Sequence, residues 1–268
     1  MKKVVLITGA STGIGLAAAS LFLKRGHKVM ATMRKPEECT LPASENLKTT
    51  RIDVTDVTSI ELGIEEALRV FGHIDVVVNN AGYGLVGPFE ATTKAQVERQ
   101  FATNVLGLMD VVREILPIFR NQGHGHIINI SSVGGRVTFP LYSSYHATKW
   151  AVEGFSESIH YELREFNIKV KLVEPGPIRT DFYERSMELV TKPGLTAYDK
   201  FIAKAMPYMK GVAATAPGPD LVAREIYRAA MDESFKMRYP VNALALLTLR
   251  KVLPDAVYQT ITRSMIVR

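Results

Sequence analysis

The chain of 268 residues is 47% hydrophobic and 22% charged, an ordinary balance for a globular protein with a large core. Its net charge is +6, but no block of like charges stands out, so the basic stripe of a nucleic-acid-binding protein is absent and no nucleic-acid partner is expected. The length suits a single α/β domain, which commonly runs to about 250 residues.

The single cysteine, Cys39, excludes an intrachain disulfide and fits a reducing compartment. It has no neighbouring His or second Cys, and no metal site is predicted. The apolar run near the N-terminus is too short for a signal peptide, and no stretch approaches the roughly 18 apolar residues of a membrane span. We therefore expect a soluble, cytoplasmic protein without stable membrane insertion.

Short β-branched segments alternate with helical patterns along the first two-thirds of the chain. This alternation is typical of a parallel, doubly wound sheet with helices on both faces. The predicted fold class is therefore α/β, of the Rossmann type, in one domain over residues 1–268, since neither a repeat nor a linker interrupts the chain. We predict strands at 2–8, 27–33, 47–54, 74–80, 125–132 and 168–176, and helices at 14–26, 59–72, within 94–119 and at 144–165.

After Pro177 the pattern loosens. Residues 181–217 are rich in Met, Tyr, Phe, Pro and Gly without a clear period, and the apolar content of this irregular stretch favours an active-site lid. A helix at 220–231, a last strand at 237–241 and a helical extension at 243–268 complete the prediction.

The first strand runs directly into TGASTGIG, residues 8–15, and then into a helix. Gly9, Gly13 and Gly15 allow a tight turn and a close approach of the backbone to a ligand, and the helix start offers free N–H groups to a pyrophosphate. The spacing is GxxxGxG rather than GxGxxG. We predict a dinucleotide site here.

An acidic residue at the end of the second strand would bind the adenosine ribose hydroxyls of NAD. Met33, Arg34 and Lys35 stand there instead, and Arg34 suits the 2′-phosphate of NADP. NADP(H) is therefore the preferred cofactor. NAD(H) stays possible, because Glu37 and Glu38 lie close by.

Polar residues also follow the third and fourth strands. Ligands of open α/β sheets lie outside the carboxyl ends of the strands. We therefore expect Asp53 to accept from the adenine amino group, and Asn80, Ala81 and Gly82 to line the cofactor.

Ser131 and Ser132 end the fifth strand, and Tyr145 and Lys149 follow at a spacing that places both on one helix face. Reduction of a carbonyl needs a proton donor at the oxygen. The pKa of a free tyrosine, about 10, is too high for easy exchange at neutral pH, and a neighbouring Lys⁺ and an oxidised nicotinamide ring lower it. A serine hydroxyl orients and polarises the substrate oxygen.

Taken together, these residues resemble the motifs of the short-chain dehydrogenase/reductase family, and they occur in the family's order. The matches span about two-thirds of the chain and are TGxxxGIG (Thr8–Gly15), Asp53, NNAG (Asn79–Gly82), Asn104, Ser132, YxxxK (Tyr145 and Lys149) and PG (Pro175 and Gly176).

The resemblance implies a catalytic role for four residues. Tyr145 is the general acid/base, Lys149 lowers its pKa and holds the nicotinamide ribose, and Ser132, rather than Ser131, positions the carbonyl. Asn104 supports a water-linked proton relay to Lys149. Cofactor contacts are expected from Gly9, Ser11, Thr12, Gly13, Ile14, Gly15, Arg34, Asp53, Val54, Asn80, Ala81, Gly82, Tyr145, Lys149, Pro175, Gly176, Ile178 and Thr180.

Within the family, the chain looks most like the steroid and retinol dehydrogenase members. An apolar substrate pocket and a hydrophobic alcohol or ketone are therefore expected. The resemblance also implies a homodimer or homotetramer that pairs through the helices carrying Asn104 and Tyr145. The expected pocket wall comprises Leu85, Val86, Val137, Phe139, Leu141, Tyr142, Phe182, Tyr183 and Met187.

The expected activity is the NADP(H)-dependent interconversion of a secondary alcohol and its carbonyl counterpart. Relatives that only sense a dinucleotide usually lack the Tyr or Lys, whereas all four catalytic positions are filled here. A sugar-nucleotide epimerase normally has a longer C-terminal domain and a different glycine spacing. The sensor and an NAD-dependent dehydrogenase remain the alternatives.

Overall fold

Short apolar segments that are buried on both faces form most strands of the central sheet, whereas the edge strand Leu47–Arg51 is largely exposed. The structure is a computed structural model that describes residues 2–179 and 187–266. Its strands are β1 (Val4–Ile7), β2 (Lys28–Met33), β3 (Leu47–Arg51), β4 (Val76–Asn79), β5 (Gly84–Val86), β6 (Gly125–Ile130), β7 (Ile168–Pro175), β8 (Met187–Leu189) and β9 (Arg238–Val241).

Seven of these strands form one parallel sheet in the order β3-β2-β1-β4-β6-β7-β9. Val5 in β1 lies opposite Val29 in β2 on one side and Val76 in β4 on the other. The strand order reverses between β1 and β4, and this is where an open α/β sheet leaves a crevice for a ligand at its carboxyl edge. The Rossmann-type parallel sheet is thus confirmed.

Amphipathic helices connect the strands and cover the sheet. They are α1 (Gly13–Lys24), α2 (Val57–Phe71), α3 (Lys94–Phe101), α4 (Gly107–Gln122), α5 (Ser143–Leu163), α6 (Asp199–Thr215), α7 (Asp220–Met231), α8 (Leu244–Val252) and α9 (Asp255–Ile266).

Alternation along β1 shows how the two layers are built. Val4 and Leu6 pack in the core that contains apolar residues of α2, α4 and α5. Val5 and Ile7 pack in the core on the opposite face, with α1 and α7. Helices therefore cover both faces, as the strand–helix alternation predicts.

The segment 181–217 differs from the prediction of an irregular stretch. Its described part contains β8, which pairs with β5 in a separate two-stranded parallel sheet, and the helix α6. Pro207 lies inside α6, and it obscured the helix in the sequence because proline disfavours helix interiors. Packing of α6 against α9 offsets that cost.

The C-terminal residues form α8 and α9, which return to the carboxyl edge of the sheet. Within the two described ranges, no helix is both long and apolar enough to cross a bilayer.

Candidate active site

A cavity of about 750 Å³ opens at the carboxyl edge of the sheet. Small-molecule sites typically enclose roughly 300–1,000 Å³. Its lining includes the loop after β1, the ends of β2, β4, β6 and β7, the start of α5, and side chains of α6 and α9. The cavity is therefore large enough for both a cofactor and a substrate.

The glycine loop presents backbone rather than side chains to this cavity. Gly9 has φ of 65°, and a Cβ there would lie 2.9 Å from the Ala81 Cα atom. Thr12 caps α1 in an extended conformation without a side-chain hydrogen bond to the helix, and the first turn of α1 carries no acidic residue. The N–H groups at the start of α1 are thus left to a ligand, which fits the pyrophosphate of a dinucleotide.

Asn80, the residue after β4, is hydrogen-bonded to the same loop. Its Nδ2 amide donates to the carbonyl oxygens of Thr8 and Gly9, at 3.0 and 2.9 Å, and its backbone N–H donates to the Thr8 hydroxyl at 3.0 Å. Asn80 lines the cavity, as expected, together with Ala81 and Gly82. Its amide group holds the cradle in shape, a role that the motif alone did not reveal.

Arg34 and Asp53 mark the end of the cavity that receives the adenosine in the sequence prediction, and both line it. The Asp53 carboxylate accepts hydrogen bonds from the Thr55 N–H and hydroxyl, at 3.0 and 2.8 Å. Burial alone would raise the pKa of the Asp53 carboxyl, but these bonds and the charges of Arg34 and Arg51 outweigh it and hold the pKa below its usual value. A carboxylate and a guanidinium that interact electrostatically therefore line the same cavity.

Tyr145 and Lys149 lie on the first turns of α5, and both line the cavity. The Lys149 Nζ atom lies 5.8 Å from the centroid of the Tyr145 ring and donates to the Ile130 carbonyl at 2.8 Å. Burial lowers the pKa of the Lys149 ammonium to about 8. The structure thus brings an ammonium beside a phenol, as the i,i+4 spacing predicts.

Ser132 is the second residue after β6 and lines the same cavity. Its Oγ atom accepts from the Gly134 N–H at 3.0 Å and donates to the Pro175 carbonyl at 3.4 Å. The second of these contacts is long for an O–H···O bond and is therefore weak. The hydroxyl can consequently turn toward a substrate oxygen at little cost.

Asn104 lies behind these residues, 2% exposed, in a π-helical turn at Ala102–Leu106 that joins α3 to α4. Its Nδ2 amide donates to the Tyr83 carbonyl at 2.8 Å and to the Thr148 hydroxyl at 3.1 Å, and its Oδ1 atom accepts from the Tyr83 N–H. Such π turns often mark functional sites. The position is next to the Tyr145–Lys149 turn of α5 but outside the cavity lining.

His146 was missed by the sequence analysis. It is 5% exposed, and its Nδ1–H donates to the Gly134 carbonyl while its Nε2 atom accepts from the Phe139 N–H, both at 2.9 Å. Burial lowers the pKa of the imidazole to about 4. The sequence shows that His146 is next to Tyr145, but it does not show that the imidazole is hydrogen-bonded to the loop containing Gly134 and Phe139.

We expect His146 to make the protein sensitive to mild acid. An unfolded His binds a proton below about pH 6.5, whereas the folded His146 does not until about pH 4, so the free energy of unfolding should fall by about 3 kcal/mol as pH falls through this window. The free energy of unfolding, measured by urea denaturation at several pH values in this range, should depend less steeply on pH in His146→Asn than in wild type. The same change at the half-exposed surface residue His124 is the control, and an equal slope in wild type and His146→Asn would contradict the assignment.

The structure separates the residues expected in the substrate pocket. Phe139, Tyr142 and Met187 line the cavity. Val86 is fully buried, Leu85 packs with Ala91 and Val190, and Val137 packs in a cluster beneath α8 and α9. Leu141 adopts a left-handed conformation, with φ of 67°, and its carbonyl accepts from the Gly87 N–H. These last four residues lie outside the cavity lining, and Phe182 and Tyr183 lie outside the described residues.

Most of the residues expected to bind the cofactor do line the cavity. They are Gly9, Ser11, Thr12, Gly13, Ile14, Arg34, Asp53, Val54, Asn80, Ala81, Gly82, Tyr145, Lys149, Pro175, Gly176 and Ile178. Gly15 packs behind the loop instead, since a Cβ there would lie 2.3 Å from the Gly9 carbonyl oxygen. Thr180 lies outside the described residues.

The distal wall of the cavity is built by α6, which falls within the predicted lid segment, and by α8 and α9, which the sequence prediction did not connect to the site. This wall is mostly apolar. Its residues are far from Tyr145 along the chain, so the sequence did not indicate that they line the cavity. It comprises Tyr208, Met209 and Val212 of α6, Leu246 and Leu249 of α8, and Tyr258, Ile261, Thr262, Met265 and Ile266 of α9.

An ion pair fastens β8 beside the cavity. The Arg99 Nη2 atom of α3 lies 2.6 Å from Glu188 Oε2, and Gln96 Nε2 donates to Glu188 Oε1 at 2.8 Å. Arg99 and Glu188 both line the cavity. These contacts fix the start of the chain segment 187–217 next to the catalytic residues.

Comparison with known proteins agrees with this geometry. Residues 3–189 match the family model described as short chain dehydrogenase. The uncharacterized oxidoreductase YusZ of Bacillus subtilis is 36% identical, with 98% of each chain covered.

Solved structures show the same likeness. A short-chain dehydrogenase from Streptomyces avermitilis has a TM-score of 0.83 at 33% identity, covering 98% of this chain and 96% of that one. ElxO, solved with NADP bound, has a TM-score of 0.74 at 28% identity, covering 91% of this chain and 100% of that one. The family resemblance of the motifs is therefore confirmed, and the chain belongs to the short-chain dehydrogenase/reductase family of oxidoreductases.

Proposed function

We propose that this protein is an NADP(H)-dependent oxidoreductase that interconverts a hydrophobic secondary alcohol and its carbonyl counterpart. The observation that carries the proposal is one cavity that joins the glycine loop to Ser132, Tyr145 and Lys149. The proposed dinucleotide cradle and the proposed acid/base pair thus line one continuous cavity.

The chain's own residues account for the proton chemistry. When bound, the nicotinamide supplies a hydride to the carbonyl carbon or accepts one from the alcohol. Ser132 orients the substrate oxygen, and the Tyr145 hydroxyl donates a proton to it in the reductive direction. The Lys149 ammonium stabilises the resulting phenolate, and Asn104 holds the turn of α5 that carries both residues through its bond to Thr148.

Lys149 retains capacity for this role. An ammonium group has three donors, and the Ile130 carbonyl takes one of them. The other two suit the ribose hydroxyls of the cofactor and a water that returns a proton to Tyr145. Because the pKa of Lys149 is about 8, the group is protonated at neutral pH.

NADP(H) is the proposed cofactor because Arg34 lines the cavity where the adenosine ribose would lie. A guanidinium pairs well with a phosphate dianion. The NADP bound to ElxO, a relative of the same fold, is consistent with this assignment. NAD(H) remains the alternative cofactor.

A hydrophobic substrate is proposed from the apolar character of the cavity wall. Phe139, Tyr142, Leu246, Leu249 and Ile261 are apolar or aromatic and line the cavity beyond the catalytic residues. Within this class we favour compounds of the steroid or retinoid type or aromatic and aliphatic ketones. We propose that the described part of the predicted lid, residues 187–217, covers them.

The test is the oxidation of NADPH, followed by the loss of nicotinamide absorbance, against steroids, retinal, quinones and aliphatic and aromatic ketones. We expect turnover of at least one hydrophobic carbonyl compound, with a lower KM for NADPH than for NADH. Arg34→Ala should remove this cofactor preference and leave kcat nearly unchanged. Equal KM values for the two cofactors in wild type would refute the role of Arg34.

The same assay separates the enzyme from a sensor of the same fold. Both should show a higher melting temperature with NADPH, because a ligand that binds only the folded state stabilises it. Only the enzyme oxidises NADPH in the presence of a carbonyl compound. Stabilisation without turnover across the whole panel would favour the sensor.

A further inference from the structure

Two buried carboxylates and two partly exposed arginines form a group of charged residues near the catalytic helix, and the proposed mechanism does not use it. We call it the Glu153 cluster: Glu153 of α5, Glu174 of β7, Arg136 of the loop after β6 and Arg238 of β9. Glu153 is 5% exposed and Glu174 is fully buried. Burying carboxylates is costly, so such groups need a compensating role or compensating partners.

Arg238 links the two carboxylates. Its Nη2 atom lies 3.3 Å from Glu153 Oε2, and its Nε atom lies 3.2 Å from Glu174 Oε1. Arg136 Nη1 approaches Glu174 Oε1 at 3.4 Å from the other side. The carboxylates are therefore fixed in place by elements from four parts of the chain.

Glu153 also lies close to the catalytic residues. It follows Lys149 by one helical turn, on the same face of α5. A Cβ on Gly135 would lie 2.8 Å from Glu153 Cγ, 2.9 Å from Ser131 Oγ and 3.0 Å from the Lys149 carbonyl. The Glu153 side chain thus packs against Gly135, in the loop that follows Ser132, near Ser131 and the Lys149 backbone.

The charges act on each other in a defined sense. Burial lowers the pKa of Lys149, and the negative charge of Glu153 opposes that effect. Burial raises the pKa of Glu174 to about 7, and repulsion from Glu153 adds to it, whereas Arg136 and Arg238 lower it. Burial likewise raises the pKa of Glu153, against the effects of Ser131, Arg238 and Arg136.

We propose that Glu153 is a positioning residue of the reaction, whose buried carboxylate, held by Arg238, keeps the Lys149 ammonium protonated in the working range of pH. This inference rests on the proposed function, because it is the charged form of Lys149 that stabilises the Tyr145 phenolate. Arg136 and Glu174 set the charge of Glu153 and act on Lys149 only through it.

Glu157 provides a matched control within the same helix. Its Oε2 atom lies 2.7 Å from Arg238 Nη2, so it shares the same guanidinium. It is 46% exposed, however, and lies one turn further from Lys149. Solvent screens its charge, so its effect on Lys149 should be small.

The experiment measures the protonation of Lys149 without any substrate. Trace acetylation with acetic anhydride at a series of pH values, quantified for Lys149 by mass spectrometry, gives the pH at which its amine becomes reactive. In Glu153→Gln this midpoint should fall by about one pH unit, and in Glu157→Gln it should stay near the wild-type value. Glu174→Gln should leave it unchanged or raise it, because the repulsion on the Glu153 carboxylate is removed.

An unchanged midpoint in Glu153→Gln, or an equal fall in Glu157→Gln, would overturn the proposal. If Glu153→Gln does not fold, Glu174→Gln provides the test. A lower midpoint of Lys149 acetylation in that variant would also overturn the proposal. With a substrate from the panel, the alkaline limb of the kcat–pH profile should move with the midpoint. A shifted midpoint in a protein that reduces no carbonyl compound would uphold the inference about Lys149 and count against the proposed reaction alone.

Discussion

Tyr145→Phe is expected to lower kcat for carbonyl reduction by about a thousandfold or more. The change removes the proposed proton donor, and general acid catalysis typically contributes about 10²–10⁴-fold. The ring itself should stay in place, since it packs at 6.1 Å from the Tyr142 ring and 5.9 Å from the His146 ring. Steady-state kinetics with NADPH and the best substrate of the panel measures the effect.

NADPH binding provides the internal check on this variant. The glycine loop, Arg34 and Asp53 are untouched, so the rise in melting temperature with NADPH should match that of wild type to within a few degrees. A variant that loses both turnover and NADPH stabilisation has lost cofactor binding, and its kinetics would then say nothing about proton donation by Tyr145.

Tyr142→Phe is the matched control. Tyr142 also lines the cavity and presents a phenol close to Tyr145. Tyr142→Phe should keep kcat within about tenfold of the wild-type value. It also removes a phenol hydroxyl, but from a residue that takes no part in the proposed proton transfer. If Tyr142→Phe proved the more damaging change, the proton donor would have been assigned to the wrong ring.

Much of the site could be predicted because its residues follow strand ends. Thr8, Asn79 and Ser131 lie at or just after buried apolar segments, Asp53 lies just after the edge strand β3, and the carboxyl ends of parallel strands meet at one edge. Local spacing was also sufficient to bring Tyr145 and Lys149 together on one helix face. Such inferences need only the helical repeat and the common direction of the parallel strands, and both can be read from the sequence.

Contacts between distant segments could not be predicted in the same way. Arg238 reaches Glu153 only because β9 pairs with β7, and the sequence did not indicate that order. Glu174 in an otherwise apolar strand was a usable signal for a buried charge, but its partners were not visible. Leu85 and Val137 were expected in the pocket wall and lie in packed clusters instead, since apolar character suits both places.

Gly15→Ala is expected to lower the affinity for NADPH by about a hundredfold or more. A Cβ at this position would lie 2.3 Å from the Gly9 carbonyl oxygen and 2.5 Å from Asn80 Nδ2. Both distances are far inside van der Waals contact, so α1 and the glycine loop would have to move apart. Fluorescence titration with NADPH measures the affinity, and thermal unfolding measures the accompanying loss of stability.

The loss should be specific because the displaced atoms belong to the cradle itself. Asn80 Nδ2 donates to the Gly9 carbonyl at 2.9 Å, and the methyl group introduced by Gly15→Ala would occupy the space of that bond. The N–H groups at the start of α1 would then no longer face the pyrophosphate in their present arrangement. One added methyl group would therefore separate the glycine loop from the start of α1, so that the two could no longer bind the same ligand.

Gly154→Ala, on α5, separates this steric effect from the general effect of replacing a helical glycine. A Cβ at Gly154 would meet nothing within 4 Å, and the residue is exposed. Alanine there should raise the free energy of unfolding by about 0.5–1 kcal/mol and leave NADPH affinity unchanged, because glycine disfavours helix interiors. If Gly15→Ala bound NADPH as tightly as Gly154→Ala, then the loop and helix would tolerate separation, and the close approach at Gly15 would not be what shapes the dinucleotide cradle.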